Sequence, residues 1–350
     1  MFDTVKFGIP IILTQQEIEN VQWTDSDSKD KTNNNPSKTT FKVINKNRVS
    51  GSPFIRYTYK RDDISKAWLK VEVSIPKFLY GTNVIEIRES DLPRFYIKIR
   101  RYLAKELGML ESKIPHDNLW TAEKVHICKN FNVGDLKQSY LKAISTCTIA
   151  KYKRKLYFTV GDSNIETVEW KASNRKEKFY DKEAEIRQQK NYPEKNQQLK
   201  LAKGILRFEV ELSDNELRSI NRDRLATKIL TFGNARNVLQ KSLERNGLSK
   251  GVKYTSHQQI IDEINSLPNL GIRSKSSLIA FVTEWLVSGK KGCRQKYAES
   301  SYWKNVKKLR ELLGIDEILI GDVILPPLNV IKKQKMTAPV FAEQKTASVK

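Results

Sequence analysis

The chain has 350 residues, and its 63 Lys and Arg residues against 40 Asp and Glu residues give a formal net charge of +23. The length predicts roughly two or three domains, and 39% hydrophobic residues are enough for a buried core. The charge predicts a polyanionic partner, either nucleic acid or an anionic membrane surface. No run approaches the ~20 apolar residues of a membrane-spanning helix, so we expect no membrane partner.

The N-terminal 215 residues are predicted to form a strand-rich domain. Apolar and polar residues alternate in several short runs, which is typical of half-buried strands. The predicted strands are 2–7, 54–60, 67–77, 123–128, 155–160, 165–170, 177–182 and 204–212. Two helices, at 90–108 and near 135–148, interrupt them. The polar segments 25–51 and 187–200 are predicted to be surface loops, so the domain at 1–215 belongs to the α+β class.

The C-terminal part, residues 216–325, is predicted to be a helical DNA-binding domain, and 326–350 a flexible tail. The predicted helices are 213–219, 221–231, 234–246, 256–265, 275–288 and 300–313. The last two are joined by a short connection that contains Gly and Lys, an arrangement typical of helical DNA-binding domains.

Motifs for several enzyme classes are absent from the sequence. There is no GxxxxGK[ST] phosphate-binding loop, no GxSxG and no HExxH. The cysteines (Cys128, Cys147 and Cys293) are widely spaced and odd in number, which predicts neither a disulfide framework nor a CxxC metal site. An enzyme of this sequence would use tyrosine, lysine and carboxylates, and a reducing cytoplasm is the expected location.

The segment KFYDKEAE at 178–185 places Tyr180 two residues before Lys182. A tyrosinate can attack a phosphodiester and form a covalent phosphotyrosine, and a nearby lysine favours the phenolate and offsets phosphate charge. The alternative interpretation is an edge strand with a half-buried tyrosine and solvated charges. From the segment alone, that alternative is the more common case.

Three further residues are candidates for a metal or acid–base site. His126 lies centrally in EKVHIC (123–128), and a histidine on a sheet face can bind a divalent metal. Glu72 and Glu209 each lie in the middle of an alternating segment. Each of the three is also consistent with an ordinary surface side chain, and no spacing rule joins them to Tyr180.

Taken in order, several segments resemble the replication initiators of filamentous phages, the gene II/X protein family, and related plasmid initiators. The matching segments are MFDTVKFGIPII at the start, KVEVSIPKFLYGTNV (70–84), EKVHICKNF (123–131), TVEW (167–170), FYDKEAE (179–185), GILRFEVEL (204–212) and SYWKNVKKLRELLGI (301–315). The resemblance spans nearly the whole chain. It implies an antiparallel-sheet nickase domain related to the His-hydrophobe-His (HUH-like) rolling-circle endonucleases, followed by a helical domain.

The resemblance also assigns roles to individual residues. Tyr180 is similar in position to the nucleophile, and Lys182 to its electrostatic partner. Arg207 and Glu209 fall on the family's Arg-Phe-Glu positions. His126 stands where the family has an aspartate, and together with Glu72 it is the expected metal site. Cys128 stands where a second histidine of a His-hydrophobe-His pair would be, so the likeness to those nickases is incomplete.

The implied activity is site-specific nicking of one DNA strand at a replication origin. Tyr180 would form a 5′-phosphotyrosine, the free 3′-hydroxyl would prime rolling-circle synthesis, and a later transesterification would rejoin the ends. A divalent metal, Mg²⁺ or Mn²⁺, is expected to assist. The expected partners are origin DNA, as duplex and single strand, and the helicase and polymerase of a bacterial host, in whose cytoplasm the protein would act.

Basic residues interleaved with aromatic residues predict where DNA binds. Two groups have this pattern: Lys151, Lys153, Arg154 and Lys155 in the first domain, and Lys304, Lys307, Lys308 and Arg310 in the second. Three other functions stay open. They are a non-enzymatic origin-binding initiator or repressor, a related transposase or relaxase, and an RNA-binding protein.

Overall fold

The computed structural model describes residues 1–26, 39–46, 51–60, 63–159, 161–189, 194–315 and 317–331. Within these ranges the chain forms one ten-stranded antiparallel sheet, helices packed against it, and a helical bundle near the C-terminus. The predicted α+β class is therefore confirmed.

The strands of the sheet are β1 Phe2–Ile9, β2 Asp25–Ser26, β3 Thr39–Asn45, β4 Phe54–Lys60, β5 Trp68–Ser74, β6 Thr121–Asn132, β7 Lys153–Phe158, β8 Ile165–Lys171, β9 Arg175–Asp181 and β10 Ile205–Ser213. Their order across the sheet is β2-β3-β4-β5-β1-β6-β10-β9-β8-β7. All neighbouring pairs are antiparallel. Strands β1, β6 and β10 thus lie in the middle of the sheet, and β7 forms one edge.

The α-helices are α1 Gln15–Asn20, α2 Ile75–Tyr80, α3 Asp91–Glu106, α4 Lys137–Ser145, α5 Lys182–Gln188, α6 Lys195–Ala202, α7 Asp214–Ile220, α8 Ala226–Ile229, α9 Phe232–Arg245, α10 His257–Ser266, α11 Ile272–Lys296 and α12 Glu299–Lys308. A π-helical turn, Leu309–Leu313, follows α12. No helix in the described ranges combines the length and apolar character that a membrane crossing requires.

One face of the sheet is apolar because the strands alternate. In β10, Leu206, Phe208 and Val210 point into the main hydrophobic core, while the residues between them point away. The ring of Phe208 stacks on Phe179 of β9 with centroids 4.1 Å apart. Helices α3, α4 and α9 cover this face with their buried leucines, isoleucines and aromatics. The opposite face carries the polar residues discussed below.

The predicted strand at 67–77 ends earlier in the structure, at Ser74, because a helix begins there. Pro76 occupies the first turn of α2, where a missing N–H is tolerated. The helix ends at Gly81, which has φ 74° and therefore suits a residue without Cβ. This short helix delivers the segment 81–87 to the polar face of the sheet.

Both predicted loops contain regular structure. Segment 187–200 was predicted as a loop, but α5 and α6 occupy much of it, since Ile186 and Ala202 bury apolar surface against Val84 and Ile205. Segment 25–51 contains β3, which pairs with β4; the loop was predicted from the polar residues on either side of its sequence, TTFKVIN. Residues 27–38 and 47–50 of that loop prediction lie outside the described residues.

The C-terminal helices differ from prediction in their bounds. Of the predicted helix 221–231, only the four residues of α8 are helical. The predicted helix 275–288 ends where expected, because Gly289 has φ 68° and ψ 171° and divides α11 into two helical segments. The second segment, up to Lys296, lies in the predicted connection and was not expected. Only two residues then separate α11 from α12.

Two hydrophobic cores organise the chain. Helices α7 to α9 pack in the core of the sheet, so this core extends past the boundary predicted at residue 215. The second core lies within 254–318 and contains α10, α11 and α12. The chain then returns to the first core, where Leu328 and Val330 are buried. The segment predicted as a tail from 326 is thus packed as far as Val330, whereas Ile331 is exposed, and 332–350 lie outside the described residues.

The division into two cores predicts independent local stability. Phe281 is buried in the second core, with its ring 5.6 Å from Trp285 and 5.7 Å from Tyr302. Phe281→Ala should lower the local stability by about 3–5 kcal/mol, whereas Phe281→Leu should cost less than about 1.5 kcal/mol. Hydrogen exchange followed by mass spectrometry should show faster exchange in α10 to α12. Equal acceleration in β6 and β10 would contradict two cores.

Candidate active site

The polar face of the sheet is arranged in rows by strand register. The rows run across β6, β10, β9, β8 and β7 in that order: Asn130, Arg207, Tyr180, Thr167 and Tyr157; then Cys128, Glu209, Lys178, Glu169 and Lys155; then His126, Glu211, Lys176, Lys171 and Lys153. Directly opposed side chains lie on the same face. The register therefore gathers six of the sequence-predicted site residues on one surface: His126, Lys153, Lys155, Tyr180, Arg207 and Glu209.

Tyr180 is buried next to a carboxylate. It lies near the end of β9, one residue before Asp181, which caps α5 by accepting from the backbone N–H groups of Glu183 and Ala184. The Tyr180 hydroxyl donates to Glu209 Oε2 over 3.1 Å. Tyr180 is 5% exposed and Glu209 3% exposed, so both groups have lost most of their contact with water.

Three other polar groups surround the Glu209 carboxylate. His126 Nδ1 lies 2.8 Å and Lys178 Nζ 3.1 Å from Oε1. Arg207 Nε lies 3.8 Å from Oε2. Lys178 Nζ also lies 4.8 Å from the centre of the Tyr180 ring. Glu209 thus joins the tyrosine, the histidine and two cations in one network.

This environment sets the protonation states of the pair. Burial raises the pKa of Tyr180 well above its ordinary value of 10, and the negative charge of Glu209 adds to the rise although Arg207 opposes it. Burial alone would also raise the pKa of Glu209. Lys178, His126 and Arg207 instead hold it well below its ordinary value. The described state is therefore a neutral phenol that donates to an ionised carboxylate.

Asp3 and the segment around Asn83 hold Arg207 in place. Arg207 is fully buried, and its guanidinium donates to Asp3 Oδ2 and to the backbone carbonyl of Asn83, each over 2.5 Å. Asp3 in turn accepts from Ser74 over 2.7 Å and from the Asn83 amide over 3.2 Å. The segment 81–87 is thereby anchored over the end of the polar face nearest Tyr180.

Lys182 occupies a different place from the one implied by the resemblance. Its ammonium donates to Asn83 Oδ1 over 2.9 Å and to Glu185 over 2.6 Å, and lies 5.9 Å from the centre of the Tyr180 ring. Burial lowers its pKa, although Glu185 opposes this. Lys182 therefore faces the ring, while Lys178 contacts both the ring and the partner of the hydroxyl.

The predicted metal pair is not brought together. His126 Nε2 lies 3.3 Å from Glu211, so both ring nitrogens face carboxylates. Glu72 lies on β5, two strands away, opposite Lys6 of β1, which itself pairs with Lys124. From strand and residue spacings, the Cα atoms of Glu72 and His126 are about 12 Å apart.

The donor set does not fit a resident metal ion as arranged. In the described part of the chain, no three His, Cys, Asp or Glu side chains are placed to hold one. The Glu209 carboxylate is bound by Lys178, and Glu211 by Lys176 over 3.0 Å. Carboxylates paired in this way would have to exchange partners to become ligands.

Alternation divides the predicted basic cluster of the first domain. Lys153 and Lys155 lie on the polar face, in rows that lead to Glu211 and Glu209. Arg154 lies on the opposite face, opposite Trp170, and its guanidinium is 3.4 Å from the Cys147 carbonyl. Lys151 precedes the strand, is exposed and has φ 68°.

The second predicted basic group belongs to the helical core. Lys304 and Lys307 are exposed on α12, Lys308 is half-buried, and Arg310 is exposed in the π-helical turn that follows. Trp303 beside them is 50% exposed. Its neighbour Tyr302 is buried and packs on Trp285.

Four residues of the site were missed from the sequence: Asp3, Asn83, Lys178 and Glu211. Asp3, Lys178 and Glu211 occupy polar positions of strands that were correctly predicted. The alternation of polar and apolar residues in these strands was the signal available in the sequence. It could not show which polar positions of distant strands lie opposite one another, because register is a property of the folded sheet.

The site lies within a region that matches a known family. Residues 1–238 match the family described as the N-terminal part of a phage replication-associated protein. The chain belongs to this family. The predicted phage replication initiator family is thereby confirmed, and membership supports a role in replication initiation. Comparison with curated proteins and with solved structures found no match.

The buried carboxylate predicts a pH-dependent contribution to stability. Because the pKa of Glu209 is lower in the folded state than its ordinary 4.5, ionised Glu209 stabilises the fold above about pH 4.5, and this is lost as the pH falls further. Glu209→Gln should therefore cost about 3–5 kcal/mol at neutral pH and less in acid.

Urea unfolding at neutral and acidic pH measures this difference. Glu169→Gln is the matched control, since Glu169 is a half-exposed carboxylate in the same row, and it should cost less than about 1 kcal/mol. An equal loss for both variants at neutral pH would contradict the role given to Glu209.

Proposed function

We propose that this protein is a DNA nickase that starts rolling-circle replication by cutting one strand at an origin, with Tyr180 as the nucleophile. The observation that carries the proposal is the Tyr180–Glu209 hydrogen bond beside Lys178, Arg207 and His126. It lies inside the region matched to the replication-associated family. A tyrosine can act as a nucleophile and form a covalent intermediate, and membership of a replication-associated family supports a DNA phosphodiester as its target.

In the proposed reaction, the Tyr180 oxygen attacks the scissile phosphorus and the bond to the 3′-oxygen breaks. The 5′-phosphate becomes linked to Tyr180, and the 3′-oxygen leaves as a hydroxyl after taking a proton from water. Glu209 accepts the hydrogen bond of the phenol, so it is the group positioned to receive its proton. Lys178, which is partly exposed, is positioned to offset phosphate charge.

The reverse reaction rejoins the strand. A 3′-hydroxyl attacks the phosphotyrosine, the P–O bond to Tyr180 breaks, and the phenolic oxygen regains its proton. The covalent link conserves the bond energy, so no nucleotide cofactor is required, consistent with the absence of a GxxxxGK[ST] loop from the sequence. The expectation of Mg²⁺ or Mn²⁺ and the relation to the His-hydrophobe-His nickases stay parts of this proposal.

Burial of Tyr180 supports a second candidate function. At 5% exposure its hydroxyl cannot reach a phosphodiester until the covering segments move. Asn83 anchors one such segment through its contacts with Arg207, Lys182 and Asp3. A non-enzymatic origin-binding protein would keep this network closed. Formation of a covalent DNA adduct distinguishes the two functions.

The proposed partners follow from the same function. Origin DNA would be held both at the polar face of the sheet and at the exposed lysines of α12. The host helicase and polymerase would use the nicked strand, and a bacterial cytoplasm would be the site of action. The +23 net charge supports a nucleic-acid partner for any of these steps.

Removal of one oxygen atom tests the nucleophile. Tyr180→Phe should abolish nicking of origin-bearing supercoiled DNA and covalent labelling of the protein, while origin binding is retained. Tyr96→Phe is the matched control, because its buried hydroxyl has no hydrogen-bond partner among the described residues. A Tyr180→Phe protein that still nicks and becomes labelled would rule out Tyr180.

Salt dependence tests the basic surface of α12. If Lys304 and Lys307 each contact a phosphate, replacing both with alanine should reduce the log–log slope of duplex affinity against salt by about 2. Lys113→Ala, which removes an exposed lysine paired with Glu17, should leave the slope unchanged. An unchanged slope in the double variant would place duplex binding elsewhere.

A further inference from the structure

Tyr157 is aligned with the proposed nucleophile. It lies opposite Thr167 of β8, which lies opposite Tyr180 of β9, so the two tyrosines share one row of the polar face. Two strand spacings separate them by about 10 Å. A DNA strand advances at least about 3.4 Å per nucleotide, so this distance corresponds to at most about three nucleotides.

Exposure distinguishes Tyr157 from most aromatic residues of the sheet. It is 39% exposed on the edge strand β7, whereas Tyr57 and Phe179 are fully buried. Lys155 Nζ lies 4.7 Å from the centre of the Tyr157 ring, a cation–π contact that orients the ring and keeps a positive charge next to it. An exposed aromatic beside a lysine is the pairing that single-stranded nucleic acid uses.

The charge of the surrounding surface also fits DNA. The nine polar-face positions of β7, β8 and β9 hold five lysines and one carboxylate, Glu169. The lysines are Lys153, Lys155, Lys171, Lys176 and Lys178. Their spacing across three strands forms a basic surface that runs from the sheet edge to Tyr180. Lys176 and Lys178 pair with Glu211 and Glu209, whereas Lys153, Lys155 and Lys171 lie on the two strands nearest the edge, where a phosphate backbone is complementary to the surface.

We propose that Tyr157, held by Lys155, stacks against a base of the single DNA strand that is cut at Tyr180, within three nucleotides of the scissile phosphate. This rests on the proposed function, since Tyr180 defines where the strand is cut. In a duplex the faces of the bases are covered by their neighbours, so a protein ring can stack only on an unwound strand. The site therefore selects single-stranded over duplex DNA.

Binding of fluorescent oligothymidylate, measured by anisotropy in a Tyr180→Phe background, tests the stacking site without requiring cleavage. Tyr157→Ala should weaken binding roughly 5- to 150-fold, the range expected for one stacked base, while Tyr157→Phe retains it. Affinity for the oligothymidylate–oligoadenylate duplex should change less. Trp68→Ala is the matched control, because Trp68 is also 39% exposed but lies on β5, six strands away from β7 in the sheet.

The outcomes separate this inference from the proposed function. Unchanged oligothymidylate affinity in Tyr157→Ala, or an equal loss in Trp68→Ala, would overturn the stacking site whether or not Tyr180 nicks DNA. Basic residues on an edge strand can also serve only to prevent pairing with another sheet. If that were their only role, a variant with both Lys153→Ala and Lys155→Ala would aggregate, and Tyr157 would provide no preference for single-stranded DNA.

Discussion

The buried carboxylate of Glu209 is the constraint on which the polar half of this structure depends. A carboxylate without water is costly unless cations and donors surround it, and here Lys178, His126 and Tyr180 do so. Arg207 completes the set and is itself buried, so it needs Asp3 and the Asn83 carbonyl. The contacts around this one charge thereby connect β1, β6, β9, β10 and the segment 81–87. The phenol of Tyr180 lies where these elements contact one another.

In the proposed nickase, the same network would place Tyr180 beside a base and also keep it unreactive in the described state. Its hydroxyl already points to a carboxylate that could take its proton, yet burial and that carboxylate raise the pKa of the phenol. A phosphate bound beside Lys178 would change the charge around Glu209, because the lysine could then pair with DNA instead of with this carboxylate. Freed from one cation, Glu209 would become a stronger base at the moment when a proton must leave. Binding and activation would thus be coupled through one side chain.

Much of this organisation could be predicted from the sequence, and the remainder depends on contacts that no local pattern records. Alternation predicted β6, β9 and β10, and the chemistry of tyrosine and glutamate singled out Tyr180 and Glu209. Asp3 was missed because it lies 204 residues from its partner Arg207, and only the register of the central strands joins them. Lys182 was preferred over Lys178, first from its place two residues after Tyr180 and then from the resemblance, although Lys178 lies equally close in the sequence. Strand β3 was missed because its short sequence, TTFKVIN, lies between long polar runs and was read with them as one loop, and only its pairing with β4 shows the strand.

The central claim is that Tyr180 becomes covalently linked to DNA, and peptide mapping of the adduct tests it most directly. After the wild-type protein reacts with origin DNA and the DNA is trimmed by nuclease, trypsin should release Phe179–Lys182 as a peptide, since lysines precede and end it. We expect this peptide to carry a nucleotide attached through phosphate to its tyrosine. A nucleotide on any other peptide, or none where the DNA has been nicked, would contradict it.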